Sequence, residues 1–466
     1  MPDRKCDVAI IGAGTAGLAA ERGARRAGAT TILIDEGFSG TTCASVGCMP
    51  SKLLIAASKA AHAIAGASEF GVLTRDIEID GRAVMIRVRK LRDEFVSSTL
   101  KSLEDIPDHI TLRGTARFAQ PGILDVNGEQ VEAKAVVIAT GSRSTVPEAF
   151  DGLHNILTNE TVFELANLPS SLAVIGAGPL GLELAQAFSR LGVDVEVFDE
   201  GETIAALKDE AVAMSLRPLL EAEFPLHLGT SVSASQTGEQ IELSWTGASR
   251  GNRRFSHVLV AAGRPPNLSG LALDKTGIQI DKRGVPVFDR STMQCGSSPI
   301  FIAGDCDGDV PVLHEASAEG AIAGYNAARF PAIEPSKRST PLAITFTDPP
   351  SASIGASAED DSVIGETDFS DQGRAKVDGR NAGLVRLYAD RSGKLTGAAM
   401  AAPEAEHLAH LIAWAIEHRL TAMQLLELPI YHPTYEEGLR KALRQICDRT
   451  ELAFAADRDE GSAPGI

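Results

Sequence analysis

Aromatic residues are scarce. Phenylalanine, tyrosine and tryptophan together make 5% of the 466 residues, too few for the stacking platforms that hold single-stranded nucleic acid. Positive charge is in deficit: 44 lysines and arginines stand against 62 aspartates and glutamates, a formal net charge of −18. That balance excludes nucleic acid or an anionic membrane as the main partner. No stretch approaches the ~18 consecutive apolar residues of a membrane span. The short run Val8–Ile11 is too brief for the apolar part of a secretory leader. Cysteines number only six, at positions 6, 43, 48, 295, 306 and 447. A chain this long buries a core that needs no disulfide scaffold. The expectation is a cytoplasmic protein in which a close cysteine pair is catalytic or metal-binding rather than structural.

Glycine is in surplus, 44 residues against a usual share of about 7%, and no collagen-like period accounts for it. Part of the surplus falls in an internal repeat. Asp7–Ile11 reads as a strand, followed by Gly12-Ala13-Gly14-Thr15-Ala16-Gly17, an alanine-rich helix and a second strand, Thr31–Ile34, ending at Asp35. The same order returns with Leu172–Ile175, Gly176-Ala177-Gly178-Pro179-Leu180-Gly181, the helix Leu182–Leu191 and the strand Val193–Phe198, ending at Asp199. Both acids lie 23 positions after the first glycine, close to the roughly 20 expected between a phosphate-binding loop and its ribose-binding acid. In such a unit the first glycine makes the tight turn, the second admits a pyrophosphate, and the third lets helix and strand approach. The helix start supplies free N–H groups and a favourable dipole. One such loop is a weak signal. Two in matching context predict two dinucleotide sites.

Other segments order the chain. Arg82–Glu104 reads as a long charged helix, with short strands near Ile110–Leu112, Ile123–Val126 and Ala135–Ile138. The last runs into Ala139-Thr140-Gly141-Ser142-Arg143, and Val258–Val260 runs into Ala261-Ala262-Gly263-Arg264 in the same way. Ile300–Ile302 leads to Gly304-Asp305 and a small-residue helix from His314 to Arg329. Pro331–Pro341 reads as a linker. Beyond it, strands at Leu342–Phe346, Leu384–Tyr388 and Leu395–Ala399 alternate with helices at Glu404–His418 and Glu436–Asp448, an α+β unit. Asp457–Ile466 is polar and is expected to be disordered.

Between the first acid and the long helix stands Cys43-Ala44-Ser45-Val46-Gly47-Cys48, then Met49-Pro50-Ser51-Lys52 and an apolar helical run. A spacing of five brings two sulfurs within disulfide reach where a loop enters a helix. Pro50 is tolerated in a first helical turn, and Lys52 then shares a face with Cys48. Two free buried cysteines or half a zinc site are the alternatives. Zinc needs four ligands, and no second Cys/His pair has suitable spacing.

Gly40-Thr41-Thr42-Cys43 through Gly47-Cys48-Met49-Pro50-Ser51-Lys52 closely resembles the redox signature of the flavin-dependent pyridine nucleotide–disulfide oxidoreductases, and within them the dihydrolipoamide dehydrogenase branch. The match runs from about Asp7 to Asp448 in the family's motif order. Thr41 stands where the family has glycine, and Met49 where isoleucine or valine is common; neither change removes a chemical group. The resemblance implies an α/β fold of two Rossmann-like dinucleotide domains and a C-terminal α+β dimerisation domain. The boundaries expected are 1–150 and 264–335 for the FAD-binding part, 151–263 for the NAD-binding part, 340–450 for dimerisation and 451–466 for a tail.

The resemblance also implies roles. Gly12, Gly14, Gly17, Asp35, Thr42, Lys52, Gly141, Gly304 and Asp305 would bind FAD, and Gly176, Gly178, Gly181, Asp199 and Gly263 would bind NAD. Lys52 and Glu183 match an ion pair beside the flavin. His432-Pro433-Thr434 matches the family's base motif, with Glu437 as the orienting acid five residues on. That base would enter the other subunit's site, which implies a homodimer. Asp199-Glu200-Gly201-Glu202 places three carboxylates where NADP would need a cation, so NAD is favoured. The expected reaction is oxidation of a protein-bound dihydrolipoamide, or another small dithiol, through a Cys43–Cys48 disulfide. A glutathione-reductase-like enzyme using NAD(P)H is the alternative, followed by a low-turnover FAD-binding redox sensor. Mercuric and large thioredoxin reductases usually carry an added C-terminal cysteine pair, and this chain has only Cys447. Cys6, Cys295, Cys306 and Cys447 are expected to be inert.

Overall fold

The computed structural model describes residues 2–75 and 77–450; the predicted polar tail lies outside them. Four sheets carry the fold. The first is nine-stranded, with a parallel centre in the order Ile300–Ile302, Glu129–Ile138, Arg4–Ile11, Thr31–Asp35 and Thr111–Arg113. Val8, Ala9 and Ile10 are wholly buried, the continuous apolar run of a parallel strand covered on both faces. Strand Arg4–Ile11 pairs with Thr31–Asp35 on one side and Glu129–Ile138 on the other. Its C-terminal end is therefore the switch point at which α/β sheets hold ligands. The second sheet is parallel throughout, in the order Leu226–His227, Asp194–Phe198, Ser171–Ile175, His257–Val260 and Ile156–Leu157.

The surplus glycine has a second use here. Helices Thr15–Arg26 and Leu313–Arg329 pack backbone to backbone. A Cβ on Gly320 would overlap the Ala16 carbonyl, and one on Gly324 the Ala20 carbonyl. The first nucleotide helix is thereby pressed onto the helix that follows Gly304-Asp305.

Leu342–Thr345, Ser351–Gly355, Leu395–Ala401, Leu384–Ala389 and Val363–Asp368 form an antiparallel C-terminal sheet. Helices Ala405–Glu417 and Gly438–Arg449 share its apolar core of Leu387, Met400, Leu408, Ile412, Leu443 and Ile446. The strands at 351–355 and 363–368 were not expected. Nor was a three-stranded antiparallel sheet, Thr230–Thr237, Gln240–Gly247 and Gly251–Phe255, which closes Ile241, Leu243, Trp245 and Phe255 over Phe198. Serine- and glutamine-rich Thr230–Thr237 has little of the β-branched and aromatic content that marks a strand. Among the described residues no helix is long and apolar enough to cross a membrane.

Candidate active site

The two glycine loops are built alike. Gly12 (φ +106°) turns beneath the Ala139 carbonyl and Gly176 (φ +114°) beneath that of Ala261. Gly17 touches the Gly12 carbonyl and Gly181 that of Gly176, so neither helix start tolerates a side chain there. At Gly14 and Gly178 the space is open, with nothing within 4 Å of an added Cβ. These two residues begin the helices Thr15–Arg26 and Pro179–Arg190, and no side chain caps either end. Uncapped N–H groups facing open space fit a pyrophosphate.

The acids brace their own loops. Asp35 accepts from the N–H groups of Ala13 at 2.8 Å, Gly37 at 2.9 Å and Phe38 at 2.7 Å. Asp199 accepts from Ala177 at 2.6 Å and Gly201 at 2.7 Å. Asp35 Oδ2 and both Asp199 oxygens accept one bond each and keep a further lone pair for a ribose hydroxyl. Glu200 and Glu202 are exposed beside Asp199.

Asp305 follows Gly304 (φ +74°). Its carboxylate takes the Ser142 hydroxyl at 2.7 Å and has the Arg264 guanidinium at 3.9 Å. Arg264 also donates to the Ser142 carbonyl at 3.0 Å. Gly141 (φ +68°) and Gly263 (φ +127°) end their strands with open space around them. Strand end, Asp305 and Arg264 thus form a polar wall along the first sheet. Sequence reasoning named Asp305 and Gly141 and missed Ser142 and Arg264, whose pairing across more than a hundred residues leaves no local signal.

Thr42 opens the four-residue helix Thr42–Ser45, and Cys48 opens the long helix Cys48–Ala65. Cys43 is half-buried and Cys48 open, and neither is bonded to another sulfur. The neighbouring Cys43 thiol, with the Lys52 charge and the Cys48 N–H at the helix start, outweighs burial and pulls the Cys48 thiol down to about 6. The same proximity, with burial, pushes Cys43 up. Lys52 lies one turn on. Its ammonium meets Glu183 at 2.7 Å and sits 4.4 Å above the Phe346 ring. Glu183 is 5% exposed, and its other oxygen takes the Phe346 N–H at 2.8 Å. The pair therefore joins three parts of the chain: the cysteine helix, the second nucleotide helix and the C-terminal unit. Nothing in the sequence pointed to Phe346.

Among the described residues, the His432 ring makes its hydrogen bonds to Glu437 and none to the thiols. Its Nδ1 lies 3.0 and 3.1 Å from the two Glu437 oxygens. Glu437 is fixed by the Thr434 N–H at 3.0 Å, while the imidazole is 56% exposed. Nε2 is left to face outward. The remaining cysteines have the surroundings of inert thiols. Cys6, Cys295 and Cys306 share one core and are each pushed up to about 12 by burial. Cys447 is buried in the C-terminal core.

The described family of pyridine nucleotide-disulphide oxidoreductases matches residues 6–320. The chain belongs to this family. The family's dimerisation domain matches residues 342–443. Dihydrolipoyl dehydrogenase of Bacillus subtilis (strain 168) is 30% identical, over 94% of this chain and 97% of its own. Mercuric reductase of Streptomyces lividans is 32% identical, over 94% and 95%. Among solved structures, LpdA from Mycobacterium tuberculosis superposes with a TM-score of 0.79 at 25% identity, covering 95% of this chain and 99% of that one. The HOCl-induced flavoprotein disulfide reductase RclA from Escherichia coli superposes at 0.80 with 20% identity, covering 95% and 99%, a likeness of fold. As a member of the pyridine nucleotide-disulphide oxidoreductases, the chain is a FAD-containing oxidoreductase that pairs as a homodimer. Relatives with different substrates stand at similar identity, so the family alone does not fix the substrate.

Proposed function

We propose that the chain is a dihydrolipoyl dehydrogenase, oxidising a carrier-bound dihydrolipoamide with NAD⁺ through a Cys43–Cys48 disulfide. The observation that carries this reading is the polarity of the thiol pair: Cys48, at a helix start beside Lys52, is the more acidic sulfur. In exchange, the thiol of lower pKa leaves faster. Attack therefore falls on Cys43 and expels Cys48 as a thiolate. His432, oriented by Glu437, takes the proton from the first substrate thiol, whose sulfur bonds to Cys43 as the Cys43–Cys48 bond breaks. The second substrate thiol then displaces Cys43, its proton passing to the departing Cys43 sulfur. Substrate leaves as the disulfide, and its two electrons stay on the cysteine pair. Gly12, Gly14, Gly17, Asp35 and Asp305 would hold FAD, which when bound would supply the two-electron chemistry that links the Cys48 thiolate to NAD⁺. Lys52 balances the Cys48 thiolate, and Glu183 holds Lys52 in place.

The base would come from the partner subunit, a reading supported by its exposure. The Asp199–Glu202 carboxylates favour NAD over NADP. The domain boundaries given above, with FAD-binding residues on both sides of the second sheet, are part of the same reading. So is a reducing, cytoplasmic setting, in which a catalytic dithiol is at home. The mercuric reductase alternative lacks support in the C-terminal region, where Cys447 is buried and alone.

The purified protein should oxidise dihydrolipoamide with NAD⁺ faster than it reduces glutathione disulfide with NADPH; the reverse order rejects the assignment. Cys48→Ser should retain flavin and lose dithiol turnover, and unchanged turnover would reject the thiol scheme.

A further inference from the structure

Resting on the reading of Cys43 and Cys48 as the redox pair, we propose that Asn159, set by Ser144, is a positioning residue. It holds the loop between the two cysteines in its ring-closing shape and so biases the pair toward the disulfide. Asn159 lies between the strands Ile156–Leu157 and Ser171–Ile175 of the second sheet and is 2% exposed. Its Nδ2 donates to the Val46 carbonyl at 3.0 Å, across 113 residues of chain. Val46 ends the short helix Thr42–Ser45, midway between the sulfurs. The Val46 carbonyl only accepts, so the amide nitrogen must face it. The Ser144 hydroxyl donates to Oδ1 from the other side and fixes that orientation.

The other described hydrogen bonds of the loop are local. Val46 N–H reaches Thr42 at 3.0 Å, and Ser45 Oγ reaches Thr41 at 3.0 Å. Among the described residues, Asn159 supplies the one hydrogen bond to this loop from a distant segment. The loop is also tight, since a Cβ on Gly47 would lie 2.9 Å from the Thr42 oxygen. The two sulfurs are neighbours with no bond joining them. An unclamped loop must be closed at an entropic cost each time the disulfide forms; a clamped one is preorganised for closure. Ser144 lies two residues from Ser142, which holds Asp305. One strand end thereby fixes both a cofactor-facing acid and the redox loop.

The test is the dithiol–disulfide equilibrium of the holoenzyme in graded dithiothreitol buffers, read by alkylation and mass. Dithiothreitol gives two electrons and two protons to the Cys43–Cys48 bond and closes to its own cyclic disulfide. Asn159→Ala should shift the equilibrium toward the dithiol by about tenfold, which is about 30 mV for a two-electron couple. Asn159→Asp, which cannot donate to Val46 when ionised, should shift it the same way, and Ser144→Ala should shift it less. Variants that retain flavin and share the parent's equilibrium within about twofold overturn the inference. If Asn159→Ala fails to fold, Asn159→Asp decides by the same criterion. A parent in which Cys43 and Cys48 never join overturns the proposed function instead, a separate outcome.

Discussion

The chemistry of single residues turns on how far apart the two neighbouring sulfurs are driven. Cys48 is drawn down to about 6 by the Cys43 thiol, Lys52 and a helix-start N–H, while Cys43 is pushed the other way. Below that value Cys48 is a thiol and reacts slowly; above it the thiolate dominates. Iodoacetamide labelling of the reduced protein should therefore modify Cys48 first, with a midpoint near pH 6, and Lys52→Met should move the midpoint upward. A midpoint above 8 in the parent would remove the electrostatic argument. These residues were legible because their chemistry is local: two cysteines, a proline and a lysine within ten positions. Asn159, Ser142, Arg264 and Phe346 were not legible. Each acts through contacts to residues far along the chain, in the case of Phe346 a main-chain N–H and a ring face.

Among the elements, the helix Leu313–Arg329 carries an unusual load of buried charge. Glu319, 1% exposed, binds the Gly304 N–H at 2.8 Å and Arg338 at 2.6 Å. Asp307 faces it, 2% exposed, pushed up to about 7 first by burial and then by the Glu319 charge. Between about pH 4 and pH 7 the folded chain keeps a proton that the unfolded chain has lost, so this group withdraws stability as pH rises through that window. Asp307→Asn keeps the shape and removes the titration. Its melting temperature should match the parent's at pH 4 and exceed it at pH 8, with a gain of about 1–3 kcal/mol; parallel pH profiles would contradict this.

Elements differ in how clearly the sequence marks them. The nucleotide units announce themselves because glycine spacing, apolar strands and a terminal acid must coincide. The strands Thr230–Thr237 and Val363–Asp368 do not, because they are partly exposed and are held by partners rather than by composition.

At the scale of the whole molecule, the proposed function needs a base from the partner subunit, and His432 with Glu437 stands exposed. Co-expression of Cys48→Ser with His432→Gln subunits tests the shared site. Each homodimer should be inactive toward dithiol, whereas random mixing should restore roughly a quarter of parental turnover, because about half the dimers then hold one intact site of two. No recovery would place thiols and base within a single subunit.

The helix Pro179–Arg190 spans roughly 17 Å. Its first turn faces a nucleotide loop, its middle holds Glu183 against Lys52, and its end anchors Arg190 to Glu223 at 2.7 Å and Asp348 at 2.8 Å. Asp348 in turn meets Arg380 at 3.3 Å, and Arg380 lies 6.0 Å from the Tyr435 ring, three residues from His432. One helix thus braces three places together: the second glycine loop, the ion pair beside Cys48 and, through Asp348 and Arg380, the segment that carries Tyr435 and His432.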